Sequence, residues 1–226
     1  MDLESRYINE DTDGIPKEVL EGARKVGEGR KAFRRMLETY VPQVGYSSTP
    51  KPRILNLGCG ECYEAHVLSG YFGNQPDGFS SEDVLVVGID VDEEAIERAR
   101  TEYQTRDAKK LYIWTKQPAE NYKFIHEDAR KLRELVDGKF DVIVARHPNV
   151  AEIPDAWHDI FRESNEVIRP NGILLATSFS DIEHKILEEQ IRRAAYKIAL
   201  SSSNQHSIPT DYKEVSIDRN ILIAKK

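Results

Sequence analysis

Along residues 17–41, the apolar positions Val19, Leu20, Ala23, Val26, Phe33, Met36, Leu37, Tyr40 and Val41 recur at helical intervals. The spacing predicts one helix or two, because Gly22, Gly27 and Gly29 interrupt it and each interior glycine costs about 1 kcal/mol against alanine. A stretch rich in Pro, Ser and Gly, VPQVGYSSTPKP, then reads as a linker. Beyond it, short runs dense in Val, Ile, Leu and aromatics predict strands at 53–57, 84–90, 122–126, 141–145 and 173–179. Helical patterns separate most of them. Ala95, Ile96, Ala99 and Tyr103 share one face; so do Trp157, Ile160, Phe161, Val167 and Ile168, and later Ile182, Ile186, Leu187, Ile191, Ala194, Ala195 and Ile198. Arg169-Pro170-Asn171-Gly172 reads as a stop after the second of these helices, and 212–224 as a last strand broken by Asp218-Arg219-Asn220. Strands alternating with helices imply a parallel sheet whose ligands sit beyond the carboxyl ends of the strands.

The chain has 226 residues, a length that favours one domain with a sizeable core. Hydrophobic residues at 39% and charged residues at 31% fit a globular protein and exclude general disorder. No stretch approaches a membrane span, and MDLESRYINEDTDG lacks the basic start and apolar run of a secretory signal, so a cytoplasmic location is expected. A net charge of -7 repels nucleic acid on average. The one local gathering of bases, Arg24, Lys25, Arg30, Lys31, Arg34 and Arg35, reads first as a solvated helix face and second as a dock for an acidic substrate.

Cys59 and Cys62 are the only cysteines, which excludes a disulfide framework. With His66 they reach three ligands where a structural zinc site takes four, so no metal is expected. The same residues have a better use in Ile54-Leu55-Asn56-Leu57-Gly58-Cys59-Gly60-Glu61-Cys62, a buried strand running into a glycine turn that brings backbone close to a ligand. A dinucleotide fingerprint needs a third glycine where this chain has Tyr63, which argues against a nicotinamide cofactor.

From about Pro52 to the C-terminus the chain resembles the class I S-adenosylmethionine-dependent methyltransferases, with several elements in the family's order. Asn56-Leu57-Gly58-Cys59-Gly60 is similar to the first motif, whose loop passes the methionine part of the cofactor. The family usually carries an acidic residue where Asn56 stands and often a glycine where Cys62 stands. Val86-Val87-Gly88-Ile89-Asp90-Val91-Asp92 resembles the second motif. There the resemblance implies that Asp90 accepts from both ribose hydroxyls, while Asp92 suits a helix cap. The wide spacing of the two motifs is attributed to a turn-rich insertion at 73–83. Phe124-Ile125-His126-Glu127-Asp128-Ala129 resembles the adenine-binding strand end, with Asp128 meeting the amino group, Ala129 facing the ring and Glu127 the competing carboxylate.

Phe140-Asp141-Val142-Ile143-Val144-Ala145-Arg146-His147-Pro148-Asn149 stands where the family keeps its reaction centre, with Ala145 assigned to the cofactor. It is neither the Asn/Asp-Pro-Pro-aromatic tetrad of enzymes acting on base amines nor the Pro-Asp-Pro-Trp of tRNA guanine methylation. Arg146 and His147 are the candidate catalytic residues: a histidine is the side-chain type most often used as a general base, and Arg146 suits an anionic substrate group. His158 is a weaker candidate.

The resemblance thus implies a doubly wound α/β fold with a mostly parallel seven-stranded sheet at 51–226 and, at 1–50, an N-terminal helical segment and linker that caps it, with Tyr7, Phe33 and Tyr40 as candidate lining. It implies transfer of a methyl group from S-adenosylmethionine, leaving S-adenosylhomocysteine, to an unidentified small-molecule acceptor. Methylation of RNA or protein is the alternative, and a non-catalytic cofactor-binding protein the third reading. The sequence carries no signal for oligomeric state.

Overall fold

The computed structural model describes residues 17–46, 49–73, 84–104, 119–212 and 214–226, and the proposed insertion, from 74 on, and Tyr7 fall outside them. Five apolar runs become the parallel strands β1 (Arg53–Leu57), β2 (Leu85–Asp90), β3 (Tyr122–His126), β4 (Phe140–Arg146) and β5 (Ile168–Ser178). β6 (Lys197–Ser203), the short pair β7 (Ile208–Pro209) and β8 (Ser216–Ile217), and β9 (Asn220–Lys225) complete the strands. The large sheet has seven strands in the order β3-β2-β1-β4-β5-β9-β6, with β9 antiparallel to both β5 and β6. The doubly wound sheet is therefore present, and its order reverses between β1 and β4, where such sheets hold ligands.

Helices cover both faces. On one side lie α1 (Lys17–Tyr40), α2 (Ala65–Phe72) and α3 (Glu93–Gln104); on the other α4 (Leu132–Leu135), α5 (Pro154–Val167) and α6 (Asp181–Arg193). α1 is one continuous helix despite its glycines. Packing is what holds it, since Phe33, Met36 and Leu37 are fully buried in one apolar cluster with Ile54, Val142, Val144, Ile173 and Ile223 of the sheet. Tyr40 is also buried there, and its hydroxyl donates to the Ser203 carbonyl at 2.9 Å. The expected face of α3 is the buried one, with Ala95, Ile96, Ala99 and Tyr103 all inside.

Three expectations about the C-terminal half need correction. The helical face expected to run from Ile182 to Ile198 ends early: Ala195 adopts φ +66° just after α6, and Ile198 belongs to the edge strand β6. Ile182 is 75% exposed, because it stands in the first turn of α6 at the carboxyl edge of the sheet. Arg169-Pro170-Asn171-Gly172 does not separate helix from strand; α5 stops at Val167 and β5 begins at Ile168, carrying these residues through an irregularity opposite Phe140 and Val142. The tail is two strands in two different sheets, divided at Asp218, whose φ is +52°.

Candidate active site

β1 delivers the chain into Gly58 at φ +60° and Gly60 at φ +51°, the left-handed region where a Cβ is costly. A Cβ on Gly58 would lie 3.2 Å from the Trp157 ring, whereas around Gly60 the space is open to 4 Å. The turn is tied to the next strand. The Gly60 N–H donates to Asp90 Oδ2 at 2.7 Å, and the Cys59 N–H donates to the Ile89 carbonyl at 3.1 Å. Gly88 is required beneath it, since a Cβ there would meet Cys59 Sγ at 2.8 Å and Phe124 at 2.9 Å.

Asp90 ends β2 with its other oxygen accepting from the Asp92 N–H at 2.9 Å, and Asp92 in turn caps α3 by accepting from the Ala95 N–H at 3.0 Å. Val91, beside it, is 68% exposed. Beyond β3, Asp128 caps the turn that follows, accepting from the Arg130 N–H at 2.9 Å and from its guanidinium, which holds the carboxyl below its ordinary range. Ala129 is buried beneath, while Glu127 points outward and accepts from Lys131. Ala145 is fully buried one residue before the end of β4. The glycine turn, Asp90, Val91 and Asp128 all stand at the carboxyl ends of β1, β2 and β3.

Asn56, at the acid position of the first motif, is buried, and its Nδ2 donates to Glu64 Oε1 at 2.5 Å and to Cys62 Sγ at 3.2 Å. Glu64 therefore supplies, from the foot of α2, a carboxylate that the strand itself lacks. Cys62 and Cys59 are free, buried thiols; their mutual hydrogen bond and burial push the Cys62 thiol well above its ordinary range. Glu64 also faces Arg146, whose Nη1 lies 3.8 Å from its Oε2.

The candidate catalytic residues meet a partner that the sequence did not reveal. Arg146 forks Asp218 with contacts of 2.6 to 3.1 Å, and its guanidinium lies 4.8 Å from the centre of the Phe33 ring. Burial disfavours the Asp218 anion, yet the Arg146 charge and the contact with His147 more than offset it and hold the carboxyl far below its usual range. His147 adopts φ +54° between Arg146 and Pro148, stacks on Phe179 at 3.9 Å, and brings Nε2 to 2.8 Å from Asp218 Oδ1. Asn149 accepts from the Trp157 indole at 2.7 Å, so the loop after β4 is linked through that ring to Gly58. His158 follows Trp157 on α5, and its Nδ1 is buried without a hydrogen-bond partner among the described residues. Asp218 and Glu64 lie 72 and 82 positions from Arg146, distances over which no local sequence pattern could have joined them.

The basic gathering on α1 is partly spent internally. Arg30 binds Glu102 and the Tyr63 carbonyl, and Arg34 binds Glu38.

The sequence profile of a family described as a methyltransferase domain matches residues 48–222. The chain belongs to the S-adenosylmethionine-dependent methyltransferases. It is 28% identical over 184 residues to thiocyanate methyltransferase 1 of Brassica oleracea, covering 80% of this chain and 67% of that one. A 27-O-demethylrifamycin SV methyltransferase of Amycolatopsis mediterranei is 28% identical over 127 residues, 56% of this chain and 38% of that one. Among solved structures, a methyltransferase of Clostridium acetobutylicum superposes with a TM-score of 0.60 at 10% identity, over 87% of this chain and 91% of its own. The magnesium protoporphyrin IX methyltransferase of Synechocystis, with bound cofactor, gives 0.57 at 15%, over 98% and 89%. The family's cofactor suits the donor set of this methyltransferase: two glycines in left-handed backbone, open space at Gly60, and a strand-end carboxylate tied to the same turn. Among the described residues, no helix is long and apolar enough to cross a membrane.

Proposed function

We propose that this methyltransferase acts on a small molecule bound at the carboxyl end of β4, against His147. Both curated relatives named above are named for small-molecule acceptors, which supports that class. The observation that carries the reading is the backbone of His147. A non-glycine residue at φ +54° before a proline is strained, and strain of this kind persists where surrounding contacts over-determine it, commonly at reaction centres. Here Asp218, Phe179 and the Thr177 hydroxyl supply those contacts.

In this reading Asp90 takes the ribose hydroxyls, Asp128 and Ala129 the adenine, and Gly58, Cys59 and Gly60 the methionine part, with Asn56 behind the turn and Val91 and Ala145 as walls. S-adenosylmethionine supplies an electrophilic methyl carbon on a sulfonium. The chain's main task is alignment of the acceptor with that carbon, an effect that can supply about 7–11 kcal/mol of a barrier. His147 touches the acceptor. Arg146, with both edges of its guanidinium committed to Asp218 and Glu64, acts by holding Asp218 rather than by binding an anionic group of the substrate.

Calorimetric titration with S-adenosylmethionine and S-adenosylhomocysteine tests the first half, with Asp90→Ala as the control that should lose both. S-adenosylhomocysteine formation in the presence of candidate small molecules tests the second. Turnover with tRNA or a protein substrate but no small molecule would sink the reading.

A further inference from the structure

The thiols of Cys59 and Cys62 are not used by the transfer reaction, yet they stand at the two ends of the turn that carries Gly60. The Cys62 N–H donates to the Cys59 carbonyl at 2.8 Å, the bond that closes a β-turn. Such a turn brings its ends within about 7 Å, and disulfide-bonded residues have Cα atoms about 4.4–6.8 Å apart.

The side chains converge as well. Cys62 Sγ accepts from Asn56 Nδ2 at 3.2 Å, and Cys59 Sγ lies where a Cβ on Gly88 would be 2.8 Å away. Asn56 and Gly88 are register partners in β1 and β2, so the two sulfurs sit over one paired position on neighbouring strands. Both thiols are free. Their access differs: Cys62 is 1% exposed and Cys59 7%, beside the open space at Gly60. A small oxidant therefore reaches Cys59 first. The hydrogen bond with Cys59 and burial keep Cys62 protonated, which makes it the slower, resolving thiol.

We propose that Cys59 and Cys62 form a modification site, which a small peroxide closes into a disulfide, and that the closed turn no longer accepts S-adenosylmethionine. The inference rests on the reading above, in which the cofactor lies along this turn. The Cys59 sulfur bonds to one peroxide oxygen as the oxygen–oxygen bond breaks, and the other oxygen leaves as water. The Cys62 sulfur then displaces the oxygen of that sulfenic acid, and a second water carries off the thiol proton. The two thiols lose two electrons and the peroxide gains them.

Closure reshapes the turn. A sulfur–sulfur bond is about 2.05 Å, shorter than any contact between two thiols, so the sulfurs must leave their seats over Asn56 and Gly88. Cys62 is held in left-handed backbone at φ +54°, and the Tyr103 hydroxyl donates to its carbonyl at 2.9 Å. Cys59 is therefore the residue that shifts, and Gly60, whose N–H holds Asp90, shifts with it.

The chain has only these two cysteines, so any disulfide within one chain is this one. The reduced full chain is treated with hydrogen peroxide, unfolded, alkylated with iodoacetamide and mapped by mass spectrometry, with and without dithiothreitol. Expected is a link within one chain and an S-adenosylhomocysteine affinity at least about tenfold weaker by calorimetry, the loss of one hydrogen bond to a charged group. Dithiothreitol should restore both, and S-adenosylhomocysteine bound during the treatment should slow the link. Two thiols that stay alkylatable, a link between chains only, or a link that leaves affinity unchanged each overturns the proposal without any variant. In Cys62→Ser, whose hydroxyl can accept from Asn56, Cys59 lacks its resolving partner and excess peroxide carries it to the sulfinic acid, which dithiothreitol does not reduce. The same reversible loss of affinity in Cys62→Ser would place the effect on Cys59 alone and overturn the dithiol. Failure of the reduced, unmodified chain to bind S-adenosylhomocysteine would overturn the underlying reading instead, whether or not the link forms.

Discussion

The Gly60 N–H and Asp90 Oδ2, 30 positions apart in the chain, meet at 2.7 Å and so couple the first motif's turn to the second motif's carboxylate. One side chain therefore shapes the glycine turn and stands ready for the ribose. Asp90→Ala should lose both roles. With hydrogen bonds to charged groups worth about 1.5–3 kcal/mol, S-adenosylhomocysteine affinity should fall at least tenfold by calorimetry. Asp90→Asn, which keeps one acceptor oxygen, should lose less. Equal affinity in all three proteins would remove Asp90 from the site.

Gly58→Ala probes the turn from the other side. Left-handed backbone costs a non-glycine residue about 1–2 kcal/mol, and the new Cβ would also crowd Trp157 at 3.2 Å. The melting temperature should drop by several degrees and cofactor affinity should fall with it. Gly27→Ala, in an interior helical position with nothing within 4 Å, should be neutral or slightly stabilising in the same melting experiment.

Much of this was legible because it is local. Period and turn chemistry marked β1 to β4, and the glycine turn and Asp90 are short motifs at strand ends. What escaped depends on distant partners. β6 was read as the end of a helix because Ile198 keeps the 3.6-residue spacing; the exposed Ala195 in left-handed backbone breaks it, which no periodicity reveals. Asp218 looked like a break in a strand, and it is that, but the break turns its carboxylate inward between Arg146 and His147. Asn56 looked like a weakened motif until Glu64 appeared beside it.

His66 gives an acid-sensitive contribution to stability. Burial first, and then the nearby Arg30 charge, lower its pKa from 6.5 to about 3, beneath the aromatic rings of Tyr103 and Tyr122. The unfolded chain takes up a proton near pH 6.5 that the folded chain refuses. The contribution is intact above pH 6.5 and declines as pH falls toward 3, at up to about 1.4 kcal/mol per pH unit. Urea midpoints at pH 7 and 4.5 should therefore differ more for the unmodified chain than for His66→Gln. Equal differences would mean that His66 titrates as a solvated ring.

Arg146→Met should cost about 3–5 kcal/mol, because it leaves the Asp218 carboxylate buried without its counter-charge. Arg146→Met combined with Asp218→Asn should recover part of that loss, since the stranded charge is gone. Chemical denaturation of the two single variants and the double variant gives the coupling directly. Additive losses would show that the fork contributes little beyond packing.

Asn56→Asp restores the acid that related first motifs carry, and here it should harm the protein. The side-chain nitrogen of Asn56 donates to Glu64 Oε1 at 2.5 Å; exchanging it for oxygen sets two carboxylates against each other in a buried position. Arg146, 3.8 Å from Glu64, already divides its charge with Asp218 and offsets only part of the repulsion. One carboxyl of the pair should hold its proton above the ordinary carboxylate range, a property of the pair rather than of either residue. Because that folded-state pKa is raised, the variant should be nearly as stable as the parent near pH 4. It should lose ground as pH rises toward neutrality, by up to about 1.4 kcal/mol per pH unit until the shared proton leaves. Urea midpoints of parent and variant across pH 4 to 8 measure the difference. A constant gap would mean that water or a shifted Glu64 relieves the contact, and that Glu64 does not substitute for the missing acid of β1.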